Sequence, residues 1–309
     1  MKVLLLVNAS ASSVTPERQV MVHRAFSAEH EVRMVETNRR GHATQFAIDA
    51  ARQEMDVVVV LGGDGTLNEA ANGLVGTNCA LAALPGGSTN VFARTLGLSD
   101  DLATSTRTLL DAMSANSIMR IGLGSVNGRH FLFHTGIGWD ARLVREVEKR
   151  SEWKRHFGHP LFVWSGLQTF FRIYDRTTPH FRVIHEDGSA IDDGYFTVVL
   201  NSNPYTYVGT RPFNLDPAAN LRRPLTAITV TDMRALPFLR TMFTALFRRG
   251  GMESVPAVDF RRDVSQLVIE GYGPVPYQVD GDDLGDADRL EFRHHPDVMD
   301  LVVPVGWSS

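Results

Sequence analysis

Residues 57–74, VVVVLGGDGTLNEAANGL, constrain the fold of this chain more than any other segment. The opening run of four valines and a leucine is continuous and β-branched, which predicts a strand buried on both faces of a sheet. Gly62 and Gly63 end this strand abruptly, and Thr66 and Glu69 have the spacing of a capping box that opens a helix. A strand, a glycine turn and a capped helix form the layout in which backbone N–H groups and a helix N-terminus bind phosphate.

Asp64 is the unusual residue of this turn, because a carboxylate repels a bare phosphate. Its presence predicts one of three roles: to bind a bridging magnesium ion, to interact with a donor partner, or to orient the loop. The alternative is a tight strand-to-helix turn without a ligand, which occurs in many α/β proteins.

Composition excludes several classes of protein. The 309 residues are 43% hydrophobic and 21% charged, which is typical of a soluble globular protein, and the length favours two domains over one. The net charge of −4 gives no basic field of the kind that nucleic-acid-binding proteins use, so no nucleic-acid partner is expected. Cys79 is the only cysteine, which excludes a disulfide framework and a thiolate zinc site and favours the cytoplasm. No segment approaches 18 uninterrupted apolar residues, so membrane contact is expected to be peripheral.

Alternating strand and helix patterns predict a parallel sheet in a first domain of residues 1–118. Thr15 and Pro16 predict the N-cap and first position of its first helix. In such sheets, ligands bind outside the carboxyl ends of the strands. Loops with ligand-capable residues follow the four predicted strands, at residues 8–13, 37–41, 62–66 and 86–90.

A different pattern begins after about Met119. Short strand-like segments separated by Gly, Pro and Asn predict a mostly antiparallel β-sandwich over residues 119–295, with residues 296–309 packing back on the first domain. Two helical stretches, 140–175 and 234–249, combine arginines with aromatic or apolar side chains, as do surfaces that dock on anionic membranes. The alternative is that their apolar faces pack on the sheet while the arginines lie in water.

The segment GGDGTLNEAANGL resembles the signature of the diacylglycerol kinase catalytic-domain family, which includes bacterial lipid kinases and the sphingosine and ceramide kinases. Further blocks resemble this family in the same order along nearly the whole chain: Thr37 with Gly41–Ala43, Leu84–Leu98, Gly136–Ala141, Asn201–Gly209 and Tyr277–Gly285. Nicotinamide-nucleotide kinases also carry GGDGT and have a similar fold. The Leu-Asn-Glu continuation and the late Asp-Gly-Asp distinguish this chain from them.

The resemblance implies a Rossmann-like α/β domain of the NAD-kinase and diacylglycerol-kinase type, with ATP in a cleft and a lipid presented by the second domain. It also implies a catalytic Mg²⁺, for which Asp64 and Asp140 are the candidate ligands. Carried over residue by residue, the implied nucleotide contacts are Asn8, Ala9, Ser10, Ala11, Ser12, Thr37, Gly63, Asp64, Gly65, Thr66, Leu67, Asn68, Glu69 and Ser88.

Asp280 and Asp282, in an Asp-Gly-Asp motif, are predicted to supply the catalytic base and an orienting carboxylate. Two carboxylates one glycine apart can lie close enough to raise one pKa. The family motif usually ends in Glu, so Asp282 reaches one methylene less far. A β-turn with two solvated carboxylates is the alternative. The chain also has Val91 where the family commonly has an aspartate, which removes an acidic member of the implied magnesium network.

The predicted function is that of an ATP- and Mg²⁺-dependent lipid kinase. It would transfer the γ-phosphoryl group to a hydroxyl of diacylglycerol, giving phosphatidic acid for phospholipid biosynthesis at the inner face of the membrane. A sphingoid base or another lipid alcohol is the nearest alternative acceptor. A nicotinamide-nucleotide kinase and a catalytically weak protein that binds nucleotide or lipid for regulation are alternatives of other kinds, and a homodimer is compatible with each.

Overall fold

A computed structural model describes residues 1–148, 174–234, 252–253 and 255–307. The chain divides into two compact units. The first comprises Met1–Leu123 with His295–Ser309, and the second comprises Gly124–His294. The two stretches expected to dock on membranes lie largely outside the described residues.

The first unit is built on a parallel sheet. Its strands are β1 (Lys2–Val7), β2 (Glu31–Glu36), β3 (Val57–Gly62), β4 (Ala80–Pro85) and part of β5 (Ile118–Val126). Its helices are α1 (Pro16–Ser27), α2 (His42–Arg52), α3 (Asp64–Leu74), α4 (Val91–Thr95) and α5 (Leu102–Ser114). The strand order is β2–β1–β3–β4, all parallel, and Leu301 of the last strand pairs in parallel with Leu81 of β4.

Sequence and burial agree in this unit. Every residue of β3 and β4 is buried, because these uniformly apolar strands are covered on both faces. Thr15 is the N-cap of α1, and its hydroxyl accepts a hydrogen bond from the N–H of Arg18, with Pro16 in the first turn. This predicted helix start is confirmed.

Helices α2 and α3 pack closely because the contact is made by small residues. A Cβ on Gly73 of α3 would lie 2.6 Å from the carbonyl oxygen of Thr44 and 2.7 Å from the Cβ of Ala47. Only glycine permits this approach. The contact brings the polar side of α3 to the N-terminus of α2.

The second unit consists of antiparallel strands and one helix within the described residues. These elements are β6 (Arg129–Phe131), β7 (His134–Gly138), α6 (Trp139–Glu148), β8 (Phe181–His185), β9 (Ala190–Gly194), β10 (Phe196–Leu200), β11 (Thr206–Val208), β12 (Arg211–Phe213), β13 (Leu225–Val230), β14 (Val258–Val264), β15 (Gln266–Val279) and the first part of β16 (Asp282–Val302), whose residues from His295 onward belong to the first unit. The main order is β14–β13–β10–β7–β15, and β15 also pairs with β8 and β16.

Two hydrophobic cores lie on opposite faces of the layer formed by β13, β10 and β7. Successive residues of β10 alternate between them, as strand geometry requires: Val198 joins one core and Val199 the other. The first core includes Trp139 of α6. The second includes Ile137 of β7, Phe181 of β8 and Leu267 of β15, so strands supply its buried residues. Within the described residues, no helix combines the length and apolar character needed to cross a lipid bilayer.

Candidate functional site

Four loops of the first unit follow four neighbouring parallel strands. Asn8, Thr37, Gly63 and Gly86 come directly after β1, β2, β3 and β4. The carboxyl ends of parallel strands lie at one edge of a sheet, so these loops are brought together there. The loops that the sequence singled out therefore form one continuous edge.

Thr66 of α3 holds the first of these loops. The side-chain amide of Asn8 donates a hydrogen bond of 2.8 Å to the Thr66 hydroxyl oxygen. The other end of the Asn8 amide accepts a bond of 3.0 Å from the N–H of Ser10. Asn8 thereby fixes both its own loop and the link to α3.

Asp64 holds the fourth loop. Its two carboxylate oxygens accept hydrogen bonds from the backbone N–H groups of Val91, at 3.0 Å, and Phe92, at 3.1 Å. These groups lie at the N-terminus of α4, where N-cap Asn90 makes no side-chain capping bond. A carboxylate at that position caps the helix and interacts favourably with the positive end of the helix dipole. Of the roles considered for Asp64, partnering a donor and orienting the loop are seen directly.

Glu69 holds the second loop. Its carboxylate accepts hydrogen bonds from the N–H groups of Gly41, at 2.8 Å, and Ala43, at 3.3 Å, at the start of α2. The predicted capping box is wrong, because α3 already begins at Asp64 with Gly63 as its N-cap. Glu69 therefore caps a neighbouring helix instead of its own.

The two glycine turns pack directly on each other. A Cβ on Gly87 would lie 2.8 Å from the Cα of Gly63, and one on Gly86 would lie 2.8 Å from the nitrogen of Gly62. Ser13 adds bonds from its N–H to the Gly86 carbonyl, at 3.0 Å, and from its hydroxyl to the Gly87 carbonyl, at 3.2 Å. Glycine at these positions serves contact between loops, in addition to any approach of phosphate.

The predicted nucleotide residues separate into accessible and inaccessible ones. The side chains of Leu67 and Asn68 are buried, which removes them from any direct nucleotide contact. A small pocket of about 10 Å³, about the space of one water molecule, lies beside the glycine turn and is lined in part by Gly63, Asp64 and Asn90. The side chains of Ser10, Ser12 and Ser88 are exposed at the outer rim of these loops.

Asp280 and Gly281 form the two-residue turn between β15 and β16. Both have positive φ, 48° and 84°, and Val279 pairs with Asp282 across the turn, as in a type I′ hairpin. Asp280 is only 3% exposed. Its carboxylate accepts three backbone N–H bonds of 2.7, 3.0 and 3.1 Å, from Leu132, Phe133 and His134.

These bonds oppose the predicted role of Asp280 as the base, because protonation would weaken them in a buried site. They also exclude the alternative of two solvated carboxylates. Asp282 differs: its side chain is 27% exposed and lies 3.9 Å from the guanidinium of Arg129. Of the two carboxylates, Asp282 is the more exposed.

Asp140 does not fit the implied magnesium network. It is 3% exposed, and its two oxygens accept hydrogen bonds from the Tyr205 hydroxyl and, at 2.8 Å, from the Gln278 side-chain amide. Burial raises the pKa of Asp140, which disfavours the anion that a metal requires. A Cβ on Gly136 would overlap the Asp140 carboxylate, which explains the glycine there.

Asp64 fits a magnesium ion better than Asp140 does. Mg²⁺ is commonly bound through one or two carboxylates together with substrate phosphates and water, and each oxygen of Asp64 has a second lone pair. In the part of the chain that the structure describes, no three His, Cys, Asp or Glu side chains are grouped so as to hold a metal ion.

Tyr205, Gln278 and Arg145 were missed as candidate site residues. Tyr205 and Gln278 lie in two of the blocks that resemble the family, so the sequence indicated that these positions matter. It did not indicate what the two side chains do. Arg145 of α6 makes two hydrogen bonds, of 2.7 and 3.0 Å, to Asp283 in β16. No sequence rule pairs residues so distant along the chain.

Residues 2–126 match the model of the diacylglycerol kinase catalytic domain family. This segment belongs to that family. A diacylglycerol kinase of Bacillus subtilis is 33% identical over 144 residues, which cover 46% of each chain. A diacylglycerol kinase of Staphylococcus aureus strain JH9 is 31% identical over 204 residues, covering 56% of this chain and 61% of the relative. The chain thus spans between about half and three fifths of the length of these curated relatives.

Solved structures extend the likeness of the diacylglycerol kinase fold to the whole chain. A diacylglycerol kinase from Bacillus anthracis str. Sterne gives a TM-score of 0.72 at 19% identity, covering 99% of this chain and 98% of that chain. An NAD kinase from Archaeoglobus fulgidus in complex with ATP gives 0.55 at 11% identity, covering 98% and 94%. The predicted combination of a parallel α/β domain with a β-rich second domain is confirmed.

Proposed function

We propose that this protein is a lipid kinase that transfers the γ-phosphoryl group of ATP to a hydroxyl group of diacylglycerol, giving phosphatidic acid. One observation carries the proposal: the family match covers the four-loop edge of the first unit and the helix that holds three of its loops together. Phosphoryl transfer depends mainly on positioning and electrostatics, which preorganised loops supply.

On the nucleotide side, the proposal assigns phosphate binding to the rim of the glycine turn. The N-terminus of α3 has a glycine N-cap, so no capping side chain occupies it. Backbone N–H groups and the helix dipole favour an anion there. The hydroxyl groups of Ser10, Ser12, Thr37 and Ser88 would add neutral donors.

On the acceptor side, the proposal assigns the base to Asp282. The lipid hydroxyl oxygen forms a bond to the γ-phosphorus, and the bond from that phosphorus to the β–γ bridging oxygen breaks. The hydroxyl proton passes to the Asp282 carboxylate, and ADP leaves with the electron pair. Mg²⁺, when bound, neutralises charge on the phosphate oxygens, and Asp64 would hold it.

The decisive experiment measures transfer from labelled ATP by the purified protein in mixed micelles. Separate reactions contain diacylglycerol, a sphingoid base, or NAD. We expect labelled phosphatidic acid from diacylglycerol. Transfer to the sphingoid base alone would change the acceptor within the lipid class, and transfer to NAD alone would contradict the proposal. Tight ATP binding without transfer would favour a regulatory protein and would also contradict the proposed kinase activity.

Asp282→Asn tests the residue assignment within that assay. We expect turnover to fall at least about a hundredfold, which is typical for loss of a general base, with little change in ATP affinity. Membrane docking is tested in parallel by sedimentation with anionic and with neutral vesicles. If the protein associates peripherally with membranes, it should sediment with anionic vesicles. Failure to sediment with either anionic or neutral vesicles would contradict peripheral association.

A further inference from the structure

A chain of hydrogen bonds, buried at Tyr205, Asp140 and Gln278 and partly buried at Gly281, leads to the turn that presents Asp282. The Tyr205 hydroxyl donates to one oxygen of Asp140, and the Gln278 amide nitrogen donates to the other at 2.8 Å. The Gln278 carbonyl oxygen then accepts a bond of 2.8 Å from the N–H of Gly281. The chain therefore runs from Tyr205 through Asp140 and Gln278 to the turn itself.

The orientation of Gln278 is fixed by this arrangement. Its side chain is fully buried. Because the N–H of Gly281 requires an acceptor, the carbonyl oxygen of the amide must face it, and the amide NH₂ must then face Asp140. Only an acceptor at position 140 completes the pattern, and the carboxylate of Asp140 provides one.

The other side of the turn is held independently. Asp280 accepts three N–H bonds from residues 132–134, and its own N–H donates to the His134 carbonyl at 2.9 Å. The His134 ring also packs against the Tyr205 ring, with centroids 4.2 Å apart. Asp280 and Gly281, the two central residues of the turn, are thus held by different sets of hydrogen bonds, which are buried at Asp280 and partly buried at Gly281.

We propose that Asp140 is a positioning residue that acts through Gln278 to fix Gly281, and with it the Asp282 carboxylate, and that it is not a magnesium ligand. The kinetic part of this inference rests on the lipid kinase activity proposed above. The structural part concerns the Gly281 amide alone and holds for any activity.

The geometry favours this assignment over metal binding. Both Asp140 oxygens are directed at donors of the protein interior, and the side chain is almost without solvent contact. A metal ligand needs an oxygen open to the ion and its remaining water ligands. Moving Asp140 toward such an ion would leave the Gln278 amide and the Tyr205 hydroxyl as unpaired buried donors.

Gln278→Leu, Asp140→Leu and Tyr205→Phe test the inference, because leucine at position 140 removes both acceptor oxygens. Tyr174→Phe is the matched control, because the Tyr174 hydroxyl also donates to an acceptor inside the second unit, the Tyr195 carbonyl, but has no link to the turn. The first readout is hydrogen exchange of the Gly281 amide, followed by NMR or by mass spectrometry of short peptides, in the absence of ATP and metal.

We expect exchange at Gly281 to be at least about tenfold faster in Gln278→Leu and Asp140→Leu, because loss of one hydrogen bond in the chain changes the local opening equilibrium by that order. Tyr205→Phe should give a smaller increase, and Tyr174→Phe should leave this amide unchanged. Unchanged exchange in both Gln278→Leu and Asp140→Leu would overturn the inference, whatever the protein catalyses.

The second readout is steady-state kinetics with the lipid acceptor. We expect Asp140→Leu to lower kcat at least about tenfold while KM for ATP and the Mg²⁺ concentration for half-maximal activity change less than about threefold, since the lost bond acts on the base and not on the metal. A tenfold or larger shift in the Mg²⁺ requirement would overturn the inference. If the wild-type protein has no kinase activity, the proposed function is contradicted. The exchange result at Gly281 then still decides whether Asp140 is a positioning residue.

Discussion

Glu69→Ala should release the loop after β2 without disturbing the sheet. In the wild-type protein, the Glu69 carboxylate accepts bonds from the N–H groups of Gly41, at 2.8 Å, and Ala43, at 3.3 Å. Gly41 is the N-cap of α2 and has no side chain to replace this acceptor. The substitution therefore leaves two helix-terminal donors to water.

The free-energy cost of Glu69→Ala follows from the kind of hydrogen bond that is lost. Removal of a capping side chain costs about 1 kcal/mol, and a hydrogen bond to a charged group contributes about 1.5–3 kcal/mol. Glu69 is partly exposed, so water replaces part of the interaction. We expect a local cost of about 1.5 kcal/mol, which corresponds to roughly a tenfold increase in opening of the loop.

Hydrogen exchange followed by mass spectrometry measures this opening directly. Peptides covering residues 37–47 should exchange about tenfold faster in Glu69→Ala, and Glu69→Gln should fall between, because an amide offers one acceptor oxygen in place of two. Glu17→Gln, an exposed first-turn change on α1, should leave these peptides unaffected. The reasoning is refuted if residues 37–47 exchange at the wild-type rate in Glu69→Ala.

Three further predictions concern other contacts. Gly87→Ala should lower the free energy of unfolding by about 1–3 kcal/mol in urea denaturation, because the new Cβ would lie 2.8 Å from the facing turn. Gly273→Ala is the control and should be nearly neutral, because a Cβ at that position meets nothing within 4 Å. Arg262→Met should cost about 3 kcal/mol in the same measurement, since it strips the fully buried Asp216 of its guanidinium partner; a loss below about 1 kcal/mol would contradict this. Burial lowers the pKa of His134 to about 3 from 6.5. Below pH 6.5 the unfolded chain therefore binds a proton that the folded chain does not bind, and the free energy of unfolding falls. Between pH 7 and pH 5, the free energy of unfolding should fall by about 2 kcal/mol less in His134→Phe than in the wild-type protein.

The parts of the fold that follow from local rules could be predicted from the sequence. The apolar run of β3, the Thr15 cap and the four loops at one sheet edge depend on periodicity and on chain direction alone. The turn at Asp280–Gly281 also follows, because Asp-Gly favours the positive φ values of a type I′ hairpin. These features require no knowledge of distant contacts.

The partners of polar side chains could not be predicted in the same way. Glu69 has the spacing of a local cap, yet it caps a helix 28 residues earlier in the chain. Asp280 lies in an exposed-looking turn, yet its carboxylate is buried against residues nearly 150 positions away. In both cases a tertiary contact offered backbone donors that compete with the local partner or with water, and no local rule contains that information.

Asp64→Asn shows why these contacts matter for assigning function. The asparagine keeps one acceptor oxygen but turns an NH₂ toward the second backbone donor at the start of α4, so one of the bonds to Val91 and Phe92 is lost. We expect about tenfold faster exchange at the amide that loses its bond, even in the absence of metal and nucleotide. Activity should fall through this loop displacement as well as through any loss of Mg²⁺ binding. The two causes separate in a magnesium titration: a displaced loop lowers the plateau rate, whereas a lost ligand raises the Mg²⁺ concentration needed to reach it. Wild-type exchange at both amides would refute the positioning role of Asp64 and leave metal binding to explain the loss.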